Sequence, residues 1–102
     1  MAGVGKLIKQ AQKMQRQIEQ VQATLAAREI EVSSGGGAVV VKINGHGEFL
    51  SLKLNPDLLK EDAAFVEETI FGAVKEAAAK AKAINEDEMK KATAGMSMPG
   101  LF

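Results

Sequence analysis

The sequence predicts an α+β fold in the order helix, three strands, helix. Three observations carry this reading. Apolar residues recur at steps of 4 and 3 across residues 7–25. Three segments then alternate apolar and polar residues with period 2, separated by glycine-rich breaks. Helical periodicity returns from residue 63 onward. The two periods distinguish helices from half-buried strands, and helices grouped around a short antiparallel sheet define the α+β class.

The first helix is expected over about residues 4–27. Leu7, Ala11, Met14, Ile18, Val21 and Leu25 follow a heptad rhythm, and no Gly or Pro interrupts residues 6–27. Strands follow in "REIEVSS", "AVVVKIN" and "EFLSLKLN". Val39, Val41 and Ile43 share one face of the second strand, and Leu50, Leu52 and Leu54 one face of the third. "GGG" at 35–37 is read as a turn needing positive φ, and "NGHG" at 44–47 as a hairpin. Such short connections imply an antiparallel meander with one buried face. Pro56 ends the third strand, with a helical turn expected at 56–60. Asp62 is placed to cap a second helix whose apolar face runs Ala63, Val66, Ile70, Val74, Ala77, Ala81 and Ile84. Gly72 is a local weak point there, and the helix is expected to end near Lys91. One domain over 1–92 and a flexible tail over 93–102 complete the expectation. A helix of 24 residues is about 36 Å long, whereas a 100-residue globule has a radius of gyration of about 13 Å. The helices should therefore overhang the sheet, and their apolar stripes point to a symmetric homodimer. The expected core and dimer seam is Leu7, Met14, Ile18, Val21, Val39, Val41 and Ile43.

Composition narrows the function. The 102 residues carry 13 basic and 13 acidic side chains and no Cys. Residues 1–28 hold five basic side chains and one acidic, so the basic excess is concentrated in the first helix. A polyanionic partner at that end is the expectation. Without Cys there is no disulfide or thiolate chemistry. No segment approaches ~18 consecutive apolar residues, and no apolar run of signal-peptide length follows Met1. A cytoplasmic protein with no membrane partner is expected. Catalysis is poorly supported. The single His, His46, sits in a turn, and the Glu86, Asp87, Glu88 run reads as a solvated cluster. No enzyme, cofactor, metal site or small-molecule substrate is expected.

Lys6, Lys9, Lys13 and Arg16 step by 3, 4 and 3. At about 100° per residue they fall within roughly an 80° arc, nearly opposite the apolar seam. No acid precedes Glu19, so i,i+4 pairing cannot account for the stripe. An ordinary solvated face is one reading, and a phosphate-facing surface flanked by Gln10 and Gln12 is the other. The chain has no Trp or Tyr to stack on unpaired bases, so the second reading favours double-stranded DNA held by its backbone. A helical clasp for another protein, without nucleic acid, is the alternative function.

The whole chain resembles the YbaB/EbfC nucleoid-associated proteins of bacteria. The resemblance is carried jointly by "KQAQKMQ", the glycine turn before a Val-rich strand, "NGHGE" and "MSMPG". It implies an α-β-β-β-α protomer in a tweezer-like homodimer whose long helices bind DNA. It further implies a role in organising the nucleoid and, in some members, an effect on transcription. The motif match places Lys9, Gln10, Gln12 and Lys13 in the DNA-contacting region. Lys6 and Arg16 are added by the helical-wheel argument alone.

Overall fold

A computed structural model describes residues 2–94, with side chains from residue 3 onward. Helix α1 spans Ala2–Ala27, strands β1, β2 and β3 span Glu29–Ser34, Val39–Asn44 and Phe49–Leu54, and helix α2 spans Ala63–Ala94. A single 3-10 turn, Pro56–Lys60, joins β3 to α2. Its Asn55 cap accepts a hydrogen bond from the Asp57 amide, and its Leu58 is buried.

The sheet is an antiparallel meander in the order β1-β2-β3. Ile30 pairs with Ile43 and Val32 with Val41, so the apolar residues of β1 and β2 share one face. All four are buried, as is Val39. α2 lies across this face and closes the core with Ala73, Ala77 and Ala81. These small side chains let the helix backbone approach the strands closely. The glycine turn forms as expected. Gly35, Gly36 and Gly37 have φ of 64°, 68° and 92°, values that L side chains rarely adopt.

Four features differ from the sequence expectation. First, β3 is not fully covered. Val41 pairs with Leu52, but Leu52 is 50% exposed and Leu50 is also exposed; Leu54 alone of that row packs on the core. A helix is about 10 Å across and strands lie about 4.8 Å apart, so one helix spans two strands. α2 lies over β1 and β2 and leaves β3 beside it. A register shift between Lys42 and Ile43 adds a bulge, so that Ile43 pairs with Phe49 and Leu50 falls between pairs.

Second, only α2 packs on the sheet. α1 touches the body through its last turn, where Leu25 is buried, and then runs away from it. Third, α2, which runs through Gly72 as expected, continues past Lys91 to Ala94. Residues 93 and 94 are thus helical, while the tail expected beyond them lies outside the described residues. Fourth, α1 begins at Ala2 and takes in Gly3 and Gly5.

The overhang is pronounced. The molecule measures 72 × 24 × 16 Å with a radius of gyration of 19.9 Å, against about 13 Å for a compact chain of this length. α1 lies antiparallel to the last turns of α2. Its half-buried side chains are Met14, Gln17, Ile18 and Val21, and those of α2 are Ile84, Asn85, Glu88, Met89, Ala92 and Thr93. Together they form a two-helix arm. Leu7, in line with the seam, is 54% exposed near the start of α1. Val4 and Ile8 beside it are exposed too.

Candidate nucleic-acid interface

The basic stripe lies on the outer side of the arm. Lys6, Lys9, Lys13 and Arg16 are all exposed, as are Gln10 and Gln12. The half-buried residues Met14, Ile18 and Val21 occupy the other side of the helix, so burial of the seam directs the stripe outward. Among the described residues none of the four cations joins an ion pair; the salt bridges there involve Arg28, Lys60 and Lys91. The nearest acid along the helix, Glu19, accepts a hydrogen bond of 3.4 Å from Gln15 Nε2. The stripe is therefore a row of solvated positive charges without an intramolecular counterpart among these residues.

The α2 side of the arm is electrostatically different. Lys91 Nζ lies 3.1 Å from Asp87 Oδ2 and 3.7 Å from Glu88 Oε1, and Arg28 reaches Glu88 at 3.9 Å. The hydrogen bond and charge of Asp87, with the charge of Glu88 added, raise the Lys91 pKa above its ordinary value. The acidic cluster expected to be merely solvated is thus partly tied into a network, and it neutralises cations on this face. Lys75 lies over the Phe71 ring at 5.4 Å, a cation–π contact that periodicity alone could not reveal.

Of the expected seam, Val39, Val41 and Ile43 lie in the sheet core, Met14, Ile18 and Val21 in the arm, and Leu7 at the exposed end of the arm. The structure brings these seven residues into three places rather than one.

His46 is exposed in the β2–β3 turn, but it is engaged. Its Nε2–H donates to the Gln22 carbonyl of α1 at 2.7 Å, a bond that requires the proton on Nε2 because a carbonyl can only accept. Asn44 is buried, at 4% exposure. Its Oδ1 accepts from the amides of His46 and Glu48, and its Nδ2 donates to the Ala26 carbonyl and to Glu48 Oε1. In sequence the turn has only the signature of a hairpin. The Asn-Gly pair signals the reversal but not its attachment to a helix eighteen residues away.

Fold and surface together define a class: a small α-β-β-β-α protein whose helical arm presents an uncompensated basic face. The model of the YbaB/EbfC DNA-binding family matches residues 1–96, and the chain belongs to that family. Among its relatives, Nucleoid-associated protein NT01CX_0824 of Clostridium novyi (strain NT) is 43% identical over 100 residues, covering 97% of this chain and 88% of the relative. A protein named nucleoid-associated protein from Alkaliphilus metalliredigens (strain QYMF) is 42% identical over 97 residues, covering 94% and 85%. The crystal structure of the uncharacterized protein HP0035 from Helicobacter pylori shares the fold, with a TM-score of 0.70 at 24% identity, covering 95% of this chain and 97% of that one.

Proposed function

We propose that this protein is a nucleoid-associated protein that binds double-stranded DNA as a homodimer, mainly through phosphate contacts from the α1 arms. The observation that carries the reading is the outward row Lys6, Lys9, Lys13 and Arg16, exposed and without ion-pair partners among the described residues. Family membership supplies the class of partner. Cations released from no internal pairing are free to displace the counterions condensed on a duplex, which gives affinity without base reading. Gln10 and Gln12 beside the row add hydrogen-bond donors for phosphate or base edges. Organisation of the nucleoid, with an effect on transcription at bound sites, is the role this implies.

The dimer is supported by the uncovered part of the sheet. Leu50 and Leu52 on β3 and Phe71 on α2 are exposed. Thr69 and Gly72 of α2 lie nearest Gly35 and Ser34, on the β1 side of the helix. At about 100° per residue, Phe71 faces away from Thr69 on the helix. An apolar surface next to a free strand edge suits an isologous contact with a second copy. In such a dimer each protomer contributes one arm.

Reversing Lys9 and Lys13 together to Glu should abolish a duplex gel shift while the protein remains folded and dimeric. Unchanged binding would sink the assignment. Exposed Val4, Leu7 and Ile8 favour a second reading, an arm that clasps another protein. In that case Leu7→Ser would abolish partner capture and the Lys substitutions would leave it intact.

A further inference from the structure

The β2–β3 turn does more than reverse the chain. It gathers three separate elements at the point where the arm leaves the sheet. The Gly45 amide donates to the Leu25 carbonyl at 2.8 Å. Asn44 Nδ2 donates to the Ala26 carbonyl at 3.2 Å, and His46 Nε2–H donates to the Gln22 carbonyl at 2.7 Å. From the other helix, Asn85 Nδ2 donates to the Gly45 carbonyl at 2.8 Å. Three carbonyls from the last turns of α1 are thus held by three consecutive residues of one turn. Two of them, Leu25 and Ala26, belong to the final four carbonyls, which lack i+4 amide donors within a helix.

The fit is close. A Cβ at Gly45 would stand 2.7 Å from Leu25 Cδ2, 2.7 Å from the Leu25 carbonyl oxygen and 2.9 Å from Leu25 Cβ. No side chain fits there without displacing backbone. Gly45 is buried and its φ is not in the left-handed region, so the close approach of α1, rather than turn geometry, is what requires glycine.

We propose that this turn is the joint that fixes the angle of the helical arm to the sheet, with Asn44, Gly45 and His46 acting as positioning residues for the DNA-facing stripe. The joint holds whatever the arm binds; the link to DNA rests on the function proposed above. Lever arithmetic shows why the joint matters. Arg16 and Lys6 lie about 14 Å and 29 Å from Leu25 along the helix. A swing of about 10° at the joint displaces them by about 2 Å and 5 Å, comparable with the ~3.4 Å axial step between phosphates of one strand. An arm free to swing cannot keep four cations in register with a backbone. In the dimer the same angle sets the gap between the two stripes.

His46 is the member to test, because it is exposed and its removal leaves the buried Asn44 bonds in place. The chain has no Cys, so Ile8→Cys on the arm and Glu31→Cys on β1 can carry two spin labels. Labelled chains diluted in an excess of unlabelled protein report only the distance within one chain. The parent should give one narrow distribution. His46→Ala should broaden or shift it by several ångströms with the helix content retained, and His46→Gln, which keeps an N–H donor, should restore it. DNA affinity should fall several-fold in His46→Ala and recover in His46→Gln. An identical distance distribution in His46→Ala and the parent overturns the joint. A broadened distribution with parental DNA affinity overturns its link to DNA. Absence of DNA binding in the parent would fall on the proposed function instead, and the distance measurement would still decide the joint.

Discussion

Ala77 and Leu7 each lie in line with an apolar stripe on a long helix, yet they have opposite fates. Ala77 is fully buried against the sheet, whereas Leu7 is 54% exposed on the arm. The body is held by packing: Val39, Val41 and Ile43 lie beneath Ala73, Ala77 and Ala81, and among the described residues no buried side-chain nitrogen or oxygen lacks a hydrogen-bond partner. Half-buried side chains hold the arm, with its outer side left to solvent. One chain can thus keep its core in one region and a solvated charged surface in another. Changes of size should damage the body, and changes of charge should act in the arm without unfolding the protein.

The sharpest break in the comparison should come from Ile43→Ala. It removes a fully buried side chain that pairs with Ile30, and such truncations cost about 2–5 kcal/mol. Urea denaturation should show a lower midpoint with an unchanged slope. A midpoint equal to the parent's would mean that Ile43 is not part of the core. Next is Ala77→Leu, which forces bulk between α2 and the strands. Overpacking of this kind costs about 1–3 kcal/mol, whereas a larger residue at exposed Ala23 of α1 should be tolerated.

Leu52→Glu sharpens the boundary between body and surface. Leu52 shares the core face with Val41 but is half exposed. Its charge should weaken self-association at least tenfold, about 1.4 kcal/mol, as read by sedimentation, with the protomer still folded. The smallest effect belongs to the ion pairs of the arm. Glu88→Gln breaks the contacts to Arg28 and Lys91 and should leave the denaturation midpoint almost unchanged, because exposed pairs contribute little. The raised Lys91 pKa adds a sign that can be checked. Its contribution is whole below the ordinary value of 10.5 and is lost as pH climbs through the higher folded value. Titration from neutrality to pH 9 should therefore leave this network intact.

Much of this division was legible in the sequence because it is local. Period 2 in "AVVVKIN" placed Val39, Val41 and Ile43 on one face, and "GGG" required positive φ whatever surrounded it. The stripe from Lys6 to Arg16 followed from 100° arithmetic, and its four residues are exposed. What escaped was non-local. The row Leu50, Leu52, Leu54 carries the pattern of a covered strand, but its cover depends on where α2 crosses the sheet. Leu7 carries the pattern of a seam, but its burial depends on what packs beside it from elsewhere in the chain, and it is 54% exposed. The attachment of Asn44 and His46 to the end of α1 joins residues 18 and 24 positions apart, a distance no periodicity spans.

If the proposed function holds, the outward cations of α1 meet phosphate. The most direct test is the salt dependence of binding to a random duplex, compared between the parent and the double substitution Lys9→Gln/Lys13→Gln. Each phosphate contact contributes about 0.9 to the slope of log K against log salt concentration. The double variant should bind more weakly and lose about 1.8 of slope for each arm engaged on the duplex. Equal affinity and equal slope in the two proteins would contradict the account.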